Sequence, residues 1–231
     1  MKTYLITGIN RGLGFAYTRQ LLAEGHNVFG TARAASDKTA LQELTARYPE
    51  QLKLYINELA SAEDARELAR ALAADTDKLD VLINNAGMLT DGETIQTLNS
   101  KDLTQNYHVN TVMPVMLVQA LLPLLNSGII VNISSSFASI GLKNGDMPPR
   151  YSYAMSKAAL NMFTKTLALE LVAESTIVVA IHPGWVRTDL GGPDARFSPE
   201  ESAEAVLTTI SQLTPDQSGM YLTWHGREIQ W

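Results

Sequence analysis

A chain of 231 residues, 45% hydrophobic and free of cysteine, suits one α/β domain over 1–231 and excludes disulfides, thiolate metal sites and cysteine nucleophiles. Its net charge of −6 offers no electrostatic footprint for nucleic acid. Met1 leads straight into a strand and a glycine turn and no apolar run reads as bilayer-spanning, so the expectation is a cytoplasmic protein without metal, membrane or nucleic-acid partner.

Strand and helix patterns alternate along the chain. Thr3 to Ile6 is a β-rich run that meets Gly8, and Leu13 to Ala23 has helical periodicity and stops at Gly25. Val28 to Thr31 is a second strand, and Ser36 can cap a helix reaching Tyr48, with Pro49 beyond. Leu52 to Ile56 is a third strand, after which Ser61 and Asp64 resemble a capping box opening a helix to Ala74. Leu79 to Ile83 is a fourth strand, apolar on both faces as buried parallel strands are. Ser100 to Leu125 reads as helical with a kink, because Pro114 cannot bond the carbonyl of Asn110. Ile129 to Ile133 and Ile177 to Ile181 are strands flanking a long helix, Tyr153 to Ala173. A last helix, Pro199 to Leu213, precedes a seventh strand, Met220 to Thr223. The alternation predicts a doubly wound α/β fold of Rossmann type, a mainly seven-stranded parallel sheet with helices on both faces. Ligands of such sheets bind at the carboxyl ends of the strands.

Thr7-Gly8-Ile9-Asn10-Arg11-Gly12-Leu13-Gly14 joins the first strand to the first helix. A helix amino end presents unpaired N–H groups and a positive dipole end to a pyrophosphate. Gly8 allows the turn, Gly12 lets backbone approach phosphate, and Gly14 lets helix and strand pack closely. The second strand ends Thr31-Ala32-Arg33, with no carboxylate to hold a ribose hydroxyl. Arg33 and Arg11 could instead flank a 2′-phosphate, which points to NADP(H).

Tyr153 and Lys157 are four residues apart on a helix, so they share a face. A tyrosine is a poor acid–base group at neutral pH, and a nearby ammonium together with the positive nicotinamide of an oxidised cofactor is expected to lower its pKa. Tyr151 has Met155 at that spacing and is the poorer candidate. Ser134, Ser135 and Ser136 end the fifth strand with hydroxyls that can polarise a carbonyl or cap a turn. Asn84-Asn85-Ala86-Gly87 ends the fourth strand beside the crevice.

In this order, Gly8, Gly12, Gly14, Asn84 to Gly87, Asn110, Ser135, Tyr153 with Lys157, and Pro183-Gly184 resemble the short-chain dehydrogenase/reductase family over essentially the whole chain. His182 to Asp189 and Trp224 to Ile229 look like its sniffer and C-factor branch of carbonyl reductases. The resemblance implies that Tyr153 is the general acid, that Lys157 holds the nicotinamide ribose, and that Ser135 orients the carbonyl of a small-molecule substrate. It implies that Asn110 holds a relay water. It places Asn10, Arg11, Gly12, Leu13, Arg33, Glu58, Leu59, Asn85, Ala86, Gly87, Pro183, Gly184, Val186 and Thr188 around NADP(H). The helices near Asn110 to Leu125 and Tyr153 to Ala173 form interfaces in many relatives, which implies a homodimer or homotetramer. Two departures concern the pocket: Ser135 to Tyr153 is long, and Thr188 to Phe197 is short. The rival expectation is an NADP(H)-binding sensor or C-factor-like signalling protein with little turnover.

Overall fold

Seven short runs rich in Val, Ile and Leu pair into one sheet. In a computed structural model describing residues 1–231, they are β1 (Thr3–Thr7), β2 (Asn27–Ala32), β3 (Leu52–Ile56), β4 (Val81–Asn84), β5 (Ile129–Ile133), β6 (Ile177–His182) and β7 (Tyr221–Thr223). All pairings are parallel, in the order β3-β2-β1-β4-β5-β6-β7. The chain winds outward one way from β1 to β3, then crosses back to β4 and winds the other way. That reversal opens a crevice at the carboxyl ends of β1 and β4.

Each face of the sheet buries its own helices. Helices α1 (Gly12–Ala23), α2 (Thr39–Arg47) and α7 (Pro199–Ser211) cover one face through Tyr17, Leu21, Leu41, Val206 and Ile210. Helices α3 (Ala62–Ala73), α5 (Met113–Leu121) and α6 (Tyr151–Glu170) cover the other through Leu68, Leu72, Leu117, Leu121 and Leu167. The central strands β4 and β5 are therefore buried on both sides and apolar except for Asn84 and Asn132, which bond each other at 2.8 Å.

The ends of the elements show which local chemistry decides them. Ser61 and Asp64 do form a capping box: Ser61 Oγ accepts from Asp64 N at 3.2 Å, and Asp64 Oδ2 accepts from Ser61 N at 3.0 Å. Ser36 does not cap α2. Its hydroxyl donates to the Arg33 carbonyl at 2.7 Å, while Asp37 accepts from both the N–H and the hydroxyl of Thr39. The carboxylate outcompetes the hydroxyl for the first free N–H, so α2 starts two residues late.

The helical run from Ser100 to Leu124 departs from α-helical bonding around Asn110, where the kink was expected. A π-turn, His108–Val112, joins α4 (Ser100–Tyr107) to α5, with Met113 N bonding His108 O. Pro114 then falls in the first turn of α5, where a missing N–H costs little. This run is long and apolar enough to cross a membrane by length and composition, contrary to the sequence expectation. Its apolar side chains Met113, Leu117, Val118 and Leu121 are buried against the sheet instead.

Candidate active site

The glycine turn after β1 is laced to the turn after β4. Thr7 Oγ1 accepts the N–H groups of Asn85 at 3.0 Å and Ala86 at 2.9 Å, and Asn85 Nδ2 donates to Thr7 O at 2.8 Å. Gly8 and Gly12 have φ of 73° and 56°, in the left-handed region that favours glycine. A Cβ on Gly14 would fall inside the contact shell of the Gly8 carbonyl and lie 2.6 Å from Asn85 Nδ2. Gly14→Ala is accordingly expected to cost about 1–3 kcal/mol, read as a lower urea midpoint. An unchanged midpoint would mean that α1 and β1 can part freely. A Cβ on Gly12 would stand 3.2 Å from Thr188 Cγ2, so the segment after β6 borders the same turn. Leu13 packs its partly buried side chain onto the core.

Beside this turn lies a cavity of about 440 Å³ lined by Asn10, Arg11, Arg33, Ala35, Ser36, Asp37 and Ala40. Both sequence-predicted arginines reach it, and β2 ends at Ala32 without a carboxylate. Arg11 is already ion-paired with Asp189, both well exposed. At the same end of the sheet, Glu58 accepts from Ala34 N at 2.9 Å, and Leu59 adopts a φ of 47° with its N–H on Asn57 Oδ1.

Tyr153 and Lys157 lie on successive turns at the start of α6, 5% and 4% exposed. Helix α6 opens at Tyr151, two residues before the expected start, so Tyr153 is in its first turn. Lys157 Nζ donates to Ile133 O at 2.7 Å and lies 6.0 Å from the Tyr153 ring centre. The lysine thus points to the carboxyl end of β5. Ser135 follows directly, 7% exposed, and its Oγ also accepts from Phe137 N at 3.3 Å, capping a short turn. Asn110 is fully buried in the π-turn. Its amide bonds Met88 on both sides at 2.9 Å and donates to Ser156 Oγ at 3.0 Å. Gly87 keeps this corner open, since a Cβ there would meet Asn110 Oδ1 at 3.1 Å and Lys157 Nζ at 3.6 Å.

Burial dominates the electrostatics of the pair. Burial pushes the Tyr153 hydroxyl above its ordinary pKa, opposed by Ser135 and Arg150. Burial likewise pushes Lys157 down to about 8. The pair holds a protonated phenol next to a lysine whose burial favours its neutral form.

The family model described as short chain dehydrogenase matches residues 2–197. This chain belongs to that family. Among solved structures, the carbonyl reductase Sniffer of D. melanogaster superposes with a TM-score of 0.95 at 32% identity, covering 100% of both chains. The NADPH-bound carbonyl reductase from chicken fatty liver superposes with a TM-score of 0.94 at 32% identity, covering 100% of this chain and 99% of that one. C-signal of Myxococcus xanthus is 34% identical over 165 residues, 70% of this chain and 99% of the relative.

Within this short-chain dehydrogenase, β6 leads into Pro183, Gly184, Val186 and Thr188, the last of which borders the glycine turn. Pro183 O accepts from Ser202 Oγ at 2.6 Å, and Gly184, at φ 87°, leaves room for the Phe197 ring. Val186 bridges to Phe197, which closes the short segment on itself. Three contacts escaped the sequence reading. Tyr221 OH donates to the Ser135 carbonyl, Asp189 pairs with Arg11, and Glu93 bonds Ser152 beside Tyr153. No local pattern marks any of them, since their partners are remote in sequence.

Proposed function

We propose that this short-chain dehydrogenase is an NADP(H)-dependent carbonyl reductase, converting an aldehyde or ketone into an alcohol. One observation carries the reading: Tyr153, Lys157 and Ser135 are buried together at the carboxyl end of β5, beside the crevice. The cradle fits the cofactor. Gly8 and Gly12 give the turn its left-handed backbone, Gly14 lets α1 pack against β1, and the arginine-lined cavity adjoins the turn. Asn10, Leu13, Asn85 and Ala86 would line the pyrophosphate and ribose path, Glu58 and Leu59 the adenine side, and Pro183, Gly184, Val186 and Thr188 the nicotinamide side. The NADPH-bound chicken relative supports this assignment.

NADPH, when bound, supplies the hydride. Every other part of the chemistry falls to the chain. Ser135 donates a hydrogen bond to the substrate carbonyl and makes its carbon more electrophilic. Tyr153 gives its proton to the carbonyl oxygen as the carbon is reduced. Burial keeps that proton on at neutral pH, which suits an acid in the reductive direction. Lys157 presents its ammonium to the ribose and stabilises the tyrosinate formed. Asn110 spends its amide on Met88 and Ser156, leaving its main-chain carbonyl, which Pro114 cannot engage, for a relay water.

The sign of the pH dependence follows. Lys157 carries its charge below about pH 8 and loses it above. Reductive kcat/KM is therefore expected to be level below that pH and to fall above it. Lys157→Met should be slow at every pH and lack the descending limb. An unshifted limb in that variant would assign the titration to another group.

The C-signal match favours a second reading, an NADP(H)-binding signalling protein with little turnover. Steady-state NADPH consumption against aldehydes, ketones and quinones separates the two.

A further inference from the structure

Helix α6 carries Tyr153 in its first turn, yet that turn has no local cap. Arg150 precedes it without a side-chain bond to the free N–H groups, and no acidic residue lies in the turn. An unpartnered helix amino end is the part most ready to fray. Its partner comes from the loop after β4. Glu93, 7% exposed, accepts the Ser152 N–H on Oε2 at 2.9 Å and the Ser152 hydroxyl on Oε1. The carboxylate thus grips both donors of the residue next to Tyr153. The positive end of the helix and two charge-assisted bonds offset the cost of burying it.

The same loop is anchored at both ends to the site. Met88 exchanges two bonds with the Asn110 amide, each 2.9 Å. Asp91 pairs with Arg150 at 3.1 Å, and the Arg150 guanidinium lies over the Phe137 ring, 5.1 Å from its centre. That ring meets Tyr153 edge-on, with centroids 6.3 Å apart. Two contacts from one loop therefore fix the first turn of α6 in rotation and in height.

We infer that Glu93 is a positioning residue, setting the place of the Tyr153 hydroxyl relative to Ser135 through Ser152. The inference rests on the reading of Tyr153 as proton donor. Displacement of a reacting group by about 1 Å can cost on the order of 10²-fold in rate.

The test compares Glu93→Ala, Glu93→Gln and Tyr153→Phe in the full chain, measuring kcat for carbonyl reduction and Kd for NADPH. Glu93→Ala is expected to lose about 10- to 100-fold in kcat, with Kd for NADPH within about twofold of wild type. Glu93→Gln should recover most of the rate, because its amide oxygen takes the N–H and its NH₂ can donate to the Ser152 hydroxyl. A Glu93→Ala enzyme at wild-type kcat overturns the proposal, as does a kcat loss matched by an equal loss of NADPH affinity. Should Glu93→Ala fail to fold, Ser152→Ala removes the hydroxyl bond alone; an unchanged kcat there also overturns it. Tyr153→Phe separates the two levels: if it retains turnover, the donor assignment fails, whereas an inactive Tyr153→Phe with a fully active Glu93→Ala refutes only the positioning role.

Discussion

Tyr153→Phe is expected to lower kcat for carbonyl reduction by about 10²–10⁴-fold, the usual contribution of a general acid, while Kd for NADPH stays nearly unchanged. Phenylalanine keeps the ring that meets Phe137 edge-on and removes only the hydroxyl. No other phenol on α6 replaces it: Tyr151 is partly exposed and has Met155, not lysine, one turn on. Ser135 would still polarise the carbonyl but has no route for supplying the proton. Steady-state kinetics with NADPH and an aldehyde, beside direct cofactor titration, read the two quantities separately. Half of the wild-type turnover in this variant would move the donor role elsewhere, with Tyr151 the first to test.

Replacing both Arg11 and Arg33 by alanine is expected to erase a preference for NADPH over NADH. Hydrogen bonds to charged groups contribute about 1.5–3 kcal/mol each, and solvent screening reduces exposed ones. Both arginines line the cavity beside the glycine turn and both are exposed. Asp189 competes for Arg11, which offsets part of its attraction for a phosphate. Roughly 2 kcal/mol remains for the pair, or about 30-fold. Wild type should thus favour NADPH by at least tenfold in kcat/KM, less at higher salt, and the double variant should lose this with little change toward NADH. Ala32→Asp added to that background should favour NADH, by placing a carboxylate where a ribose hydroxyl can donate to it. Equal binding of NADH and NADPH by wild type at low salt would contradict the arginine assignment.

What the sequence disclosed and what it withheld divide along physical lines. The strands were legible because buried parallel strands are apolar on both faces, as Val81 to Ile83 and Ile129 to Val131 are. The glycine turn was legible because its demands are local: positive φ at Gly8 and Gly12, and no room for a Cβ on Gly14. Ser36 misled because its neighbour Asp37 is the better acceptor. The shared face of Tyr153 and Lys157 was legible because helical spacing is local, whereas the burial of both and the bond from Lys157 to the Ile133 carbonyl are not. Contacts across 59, 86 and 178 residues, from Glu93 to Ser152, Tyr221 to Ser135 and Arg11 to Asp189, exist only once the sheet brings the strand ends together.

The most direct measurement is the stoichiometry of NADPH oxidised to alcohol formed, taken with purified wild-type protein across aldehydes, ketones and quinones. A carbonyl reductase gives one alcohol per NADPH from an aldehyde or ketone, with sustained turnover that Tyr153→Phe abolishes. Tight NADPH binding with no carbonyl reduced by any of the panel would contradict this account and favour a cofactor-binding signalling protein.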